Sequence, residues 1–220
     1  MTVKPKSPVI LAMLALVAAL RVVFATSCLS PLADFSPIGA MALFGGACFT
    51  AASWRRGSNG LHDVSGRRAG GWLAAFGWPL LTLWISDVFL NRFEFYGHWR
   101  LFYSGFYWVY GAFALMVVVG RLLLTRVTVT RVLLASVAAV LIHWFVTDFG
   151  TWLEGTMYPK TFAGYIECLV AAIPYERYQL TGNVIYSAIL FGAVAWMTRR
   201  ASPAGRITSG APVPVQPARP

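Results

Sequence analysis

Six apolar runs leave this chain few ways to fold: residues 9–28, 37–54, 71–90, 102–124, 132–153 and 180–198. Each is close to the roughly 20 residues that cross a bilayer core. In hydrocarbon every backbone polar group must be satisfied within its own segment, so runs of this length become helices. The composition agrees, with 58% of the 220 residues hydrophobic and 12% charged, against about 25% charged in a soluble domain. The expected fold class is all-α, a polytopic membrane protein with six transmembrane helices. One transmembrane domain covers 1–198, and 199–220 is expected to be a disordered, basic, Pro-rich cytoplasmic tail.

The distribution of charge sets the orientation. With the N-terminus in the cytoplasm, the cytoplasmic segments hold thirteen basic residues: Lys4, Lys6, Arg55, Arg56, Arg67, Arg68, Arg121, Arg126, Arg131, Arg199, Arg200, Arg206 and Arg219. The opposite side holds Arg92, Arg100, Lys160 and Arg177. This positive-inside bias places both termini in the cytoplasm and requires an even number of spans. The net charge of +10 is thereby a matter of topology and not the mark of a nucleic-acid partner. Lys4 and Lys6 before an apolar run resemble a signal peptide ending at Cys28, but Arg21 interrupts the run and Ala25 suits the cleavage pattern poorly. The segment reads as a membrane helix.

Charged side chains inside such spans are expensive and mark functional candidates. Asp87 and Asp148 sit near one end of their spans, and six spans place both in the outer part of the membrane with Arg21 and Asn183. Arg21 is expected to form a structural ion pair with one of the carboxylates. Trp144, Asp148 and Trp152 recur at i, i+4, i+8 and share a helix face. Asn183, Tyr186 and Ser187 share another. Indole, carboxylate, amide and phenol together suit a small-molecule pocket, and equally a polar clamp between helices. His143, deeper in its span, reads as a hydrogen-bonded core histidine.

Local signals add detail. Ser36 suits an N-cap and Pro37 a first helical position, and the following Gly39 to Ala47 is rich in small residues that let helices approach. Ala12, Ala15 and Ala19 form a similar small stripe. Residues 55–70 read as a flexible cytoplasmic loop, with His62 and Asp63 solvated. Aromatic residues from Phe93 to Tyr110 crowd the outer interface as a belt, some of them available to wall a pocket. After Tyr158-Pro159-Lys160, Thr161 is a plausible N-cap for a helical pattern that Pro174 is expected to stop. That gives a short interfacial helix over 161–173, between the fifth and sixth spans. Cys28, Cys48 and Cys168 form no metal or redox motif; Cys28 and Cys168 fall on the same outer side, which leaves a disulfide open.

Several motifs carry a resemblance: Phe35-Ser36-Pro37-Ile38-Gly39-Ala40-Met41, Ser86-Asp87, Asp148-Phe149-Gly150, Tyr158-Pro159-Lys160-Thr161, Ile166-Glu167-Cys168, and Gly182-Asn183-Val184-Ile185-Tyr186. Over residues 15–198 the chain resembles an uncharacterised family of bacterial inner-membrane proteins described as transport proteins. That family is similar to the substrate-binding S components of energy-coupling factor vitamin transporters. The resemblance implies six helices and an outward-facing pocket for a vitamin-like solute. It brings in Asp87, Trp144, Asp148, Trp152, Tyr158, Lys160, Glu167, Asn183 and Tyr186 as candidate solute-binding residues. Ala12, Ala15 and Ala19 would fit the docking of a membrane coupling subunit that works with ATPases, a partner that the resemblance does not require because solitary S-like proteins also exist. In the family Asn is commoner where this chain has Asp148, and Asp where it has Asn183, which favours hydrogen bonding over acid–base chemistry at both.

Three functions follow as expectations. The first is a transport protein of the bacterial cytoplasmic membrane, not an enzyme and without a cofactor or metal, whose partners are a small solute and the lipid bilayer. The second is a structural scaffold of the cell envelope with no small-molecule ligand. The third, an intramembrane aspartyl enzyme, is the weakest because the Gly-x-Gly-Asp pattern is absent. No phosphate loop is present, so the chain itself does not hydrolyse ATP.

Overall fold

The computed structural model describes residues 12, 15, 16, 19–23, 35–55 and 64–200. These fold entirely as helices and their connections, with no strand among the described residues. Residues 19–23 are helical. They are followed by α1 (Ile38–Arg55), α2 (Val64–Leu90) with a π-helical turn at Asn91–Phe95, α3 (Phe106–Leu123), α4 (Val129–Glu154) and α5 (Phe162–Arg200). Four segments are long and apolar enough to cross a membrane: Leu73–Phe95, Phe106–Leu123, Val129–Glu154 and Phe162–Trp196. Ile38–Cys48 is a shorter apolar helix. Most of the first expected span, His62, Asp63, Cys28 and residues 201–220 of the expected tail lie outside the described residues. Arg199 and Arg200, expected in that tail, end α5.

Helix α1 is the centre of the bundle and touches the other four. Ala40, Met41, Ala42, Leu43 and Phe44 are each at most 1% exposed, so this stretch of the helix is buried all round. Its glycines make that possible. A Cβ at Gly46 would fall 2.1 Å from the Val117 carbonyl oxygen of α3, and one at Gly120 of α3 would fall 2.4 Å from the Leu43 oxygen. At Gly45 it would fall 2.5 Å from Cγ of Pro79, the buried proline of α2. Backbones this close gain dispersion contacts that larger residues would prevent. The outside is apolar too. Leu81, Ile85 and Phe89 on α2 and Leu133, Val137, Leu141 and Phe145 on α4 recur every fourth residue and are each more than 40% exposed, a stripe that suits lipid.

Both marked helix starts form as the local chemistry dictates. The Ser36 hydroxyl accepts from Ile38 N at 3.4 Å and the Pro37 carbonyl accepts from Met41 N at 3.0 Å. Thr161 accepts from Gly164 N through its side chain, at 3.2 Å, and from Tyr165 N through its carbonyl. The expected stop at Pro174, however, does not occur. Instead of a separate interfacial helix over 161–173, α5 runs unbroken through the proline. The missing N–H costs one hydrogen bond, and packing on both sides of it holds the helix together. Contacts with α4 lie on both sides of the proline. Trp144 Nε1 donates to the Leu169 carbonyl at 3.1 Å, while the adjacent His143 meets Glu176, seven residues further along α5.

The α4–α5 connection is closed by Lys160, whose ammonium donates to the Trp152 and Gly155 carbonyls at the C-terminus of α4. A cation there satisfies orphan carbonyls and opposes the negative end of the helix dipole. Lys160→Met is expected to cost about 0.5–1 kcal/mol, seen as a small drop in the thermal unfolding midpoint in detergent; an unchanged midpoint would remove the capping role.

Candidate functional site

Asp87 lies near the C-terminal end of α2, where the helix dipole disfavours a negative charge, and it is 3% exposed. Two groups compensate. Arg21 Nη1 approaches Asp87 Oδ1 at 2.5 Å and also donates to the Ser86 hydroxyl. Tyr110 of α3 donates to Asp87 Oδ2 at 3.0 Å. The buried charge is thus paired and hydrogen-bonded on both oxygens, the condition under which such a charge is tolerated. The pair also ties the N-terminal helical segment to α2.

Beside this pair opens a cavity of about 430 Å3, within the range of small-molecule sites. Its walls combine Arg21, Asp87, Ser36 and Asn91 with His143 of α4 and Gln179 of α5, and with Leu90, Ile38, Val109, Phe95, Tyr96 and Tyr103. Asn91 starts the π-helical turn, whose defining bond runs from Tyr96 N to the Asn91 carbonyl at 2.9 Å. Such turns recur at functional sites. The Asn91 side-chain amide donates to the Arg100 carbonyl at 3.0 Å and Trp84 Nε1 to that of Leu101 at 3.2 Å. Those bonds hold segment 96–105 over the cavity. Gly97 and Gly105 take positive φ, 69° and 77°, where a residue with a Cβ is disfavoured.

The opposite wall carries a second polar group. His143 Nδ1 lies 3.3 Å from Glu176 Oε1. With its amide oriented to satisfy both neighbours, Gln179 donates to Glu176 Oε2 at 2.8 Å and accepts from His143 Nδ1 at 3.2 Å. Asp148, four residues beyond Trp144 on α4, feels the charges of Glu176 and His143. Its Oδ2 is buried and has no hydrogen-bond partner.

Of the expected solute-binding residues, Asp87 lines this cavity; the others lie elsewhere. Trp144 and Trp152 spend their indole N–H groups on the Leu169 and Pro159 carbonyls, at 3.1 and 2.8 Å. Tyr158 is half-buried in the α4–α5 connection, Lys160 caps α4, and Glu167 is exposed. Asn183 is fully buried against Gly39 and donates to the Ser136 carbonyl at 3.0 Å, with its Oδ1 unpartnered. Tyr186 is buried with its ring 5.4 Å from that of Phe35. The single polar layer expected for Arg21, Asp87, Asp148 and Asn183 is therefore divided. Asn183 sits at the level of Ser136, about 18 Å along α4 from Asp148. The ion pair expected of Arg21 forms with Asp87. Ala12, Ala15 and Ala19 are all exposed, and Cys168 is a buried free thiol that donates to the Asp148 carbonyl at 3.7 Å. Sequence reasoning missed Asn91, Glu176 and Gln179. The signal was present in Glu176, Gln179, Asn183 and Ser187, polar residues at helical spacing on one face of α5.

Described residues that are all helical, with membrane-length apolar helices and a buried ion pair beside a ligand-sized cavity, define the class. Residues 1–56 and 65–205 match the family described as a family of unknown function, DUF6580, and the chain belongs to that family. No curated protein and no solved structure matches it.

Proposed function

We propose that this chain is a solute-binding transport protein of the bacterial cytoplasmic membrane, similar in role to an S component. In this reading it has six spans, cytoplasmic termini and a pocket open to the outer side. The observation that carries the reading is the cavity of about 430 Å3 beside the Arg21–Asp87 pair. A scaffold that needed its polar residues only to hold helices together would gain nothing from leaving that space unfilled. The basic residues gathered on one side support the orientation, and the exposed stripe Ala12, Ala15 and Ala19 fits the docking of a membrane coupling subunit. The scaffold reading draws on the tight packing of α1, which either role requires.

Native mass spectrometry and thermal-shift screening of the purified protein against vitamins and their precursors test the proposal. One ligand binding at 1:1 and raising the unfolding midpoint is the expected outcome. A screen without any bound compound would favour the scaffold.

A further inference from the structure

The charges around the cavity do not balance. Arg21 and Asp87 cancel one another at 2.5 Å. Glu176 stands behind the lining residues His143 and Gln179 and is hydrogen-bonded to both. Among the described residues Glu176 is paired with no lysine or arginine. The nearest basic residue in sequence, Arg177, turns to the Tyr178 hydroxyl at 3.4 Å and to its ring. Arg100 stacks on Tyr96 at 4.5 Å, Arg92 donates to the Gly97 carbonyl, and neither lines the cavity. The Phe95, Tyr96 and Tyr103 rings contribute to the other wall, and aromatic faces attract cations.

We propose that the solute held in this cavity is an organic cation, its positive nitrogen facing His143, Gln179 and the Glu176 carboxylate and its apolar part against Phe95 and Tyr103. The inference rests on the solute-binding reading above and adds the charge class of the ligand. A cation there supplies the missing positive charge in a low-dielectric setting, where the attraction is far stronger than in water. An anion of the same shape would add to the excess.

The test compares benzyltrimethylammonium, benzylamine, benzyl alcohol and benzoate by thermal shift and tryptophan fluorescence on the full-length protein in detergent. The two cations are expected to bind and raise the unfolding midpoint, the alcohol and benzoate to leave it unchanged. Glu176→Gln is expected to weaken cation binding at least tenfold, whereas Glu94→Gln, which removes an exposed carboxylate, leaves it unaltered. The four-probe comparison needs no variant, so it decides the matter even if Glu176→Gln does not fold. Binding of benzoate or benzyl alcohol without the cations overturns the charge assignment and leaves the solute-binding reading intact. Failure of both cations overturns the assignment as well. Failure of every probe together with every compound of the vitamin screen overturns both.

Discussion

Arg21→Met is expected to destabilise the protein by about 3–5 kcal/mol, the usual cost of removing one partner from a buried ion pair. The reason lies in what stays behind. Asp87 is 3% exposed, and without the guanidinium it keeps only the Tyr110 hydroxyl at 3.0 Å near the unfavourable end of α2. Asp87→Asn leaves a neutral amide able to bond the same neighbours, so its effect is expected to be smaller. Arg21→Met combined with Asp87→Leu is expected to recover most of the loss, because two apolar residues no longer strand a charge. Unfolding in mixed micelles, followed by tryptophan fluorescence for the unaltered protein, Arg21→Met, Asp87→Leu and the double variant, measures the coupling. Simple additivity of the two single changes would show that the pair holds nothing together.

The second large effect concerns backbone contact. Gly46→Ala would put a methyl group 2.1 Å from the Val117 oxygen and 2.9 Å from Arg121 N, and Gly120→Ala one 2.4 Å from the Leu43 oxygen. These neighbours are main-chain atoms of a facing helix and cannot rotate aside as a side chain would. Each substitution therefore forces α1 and α3 apart, at about 1–3 kcal/mol or more. Gly77→Ala and Gly111→Ala are the controls, since a Cβ at either meets nothing within 4 Å. Both are expected to be neutral or to stabilise by up to about 1 kcal/mol through helix propensity. The same unfolding assay applies, and equal effects at all four positions would contradict the central placement of α1.

These two effects also separate what the residues announced from what packing decided. Apolar length and the caps at Ser36 and Thr161 act within a few residues, so the helices and those two starts were legible, whereas α2 begins at Val64, inside the stretch 55–70 expected to be a loop. Pro174 was misleading for a physical reason: its local penalty is one hydrogen bond, and contacts to α4 on either side outweigh it. That Arg21 would pair with a carboxylate followed from depth, since a buried carboxylate in an apolar span needs a cation and Arg21 was at hand, but the choice of Asp87 over Asp148 did not. Depth did not fix which faces meet. With α1 in the middle of the bundle, Asp148 lies beside Cys168 of α5, Asn183 turns towards Ser136, and neither lines the cavity beside Asp87. The cavity itself depends on side chains brought together from several helices and on the π-helical turn at Asn91, which has no local signature strong enough to read from residue types.

Blocking the cavity tests the central claim most directly. Val109 lines it and carries neither a charge nor a hydrogen bond from its side chain, so Val109→Trp fills the space without touching the Arg21–Asp87 pair. Equilibrium binding is measured for the compound that most raises the unfolding midpoint in the screen, on the unaltered protein and on Val109→Trp. Loss of binding by at least tenfold, with the unfolding midpoint of the free protein unchanged, is the result predicted. Equal affinity for both proteins would contradict it, because the solute would then be held somewhere other than beside Asp87.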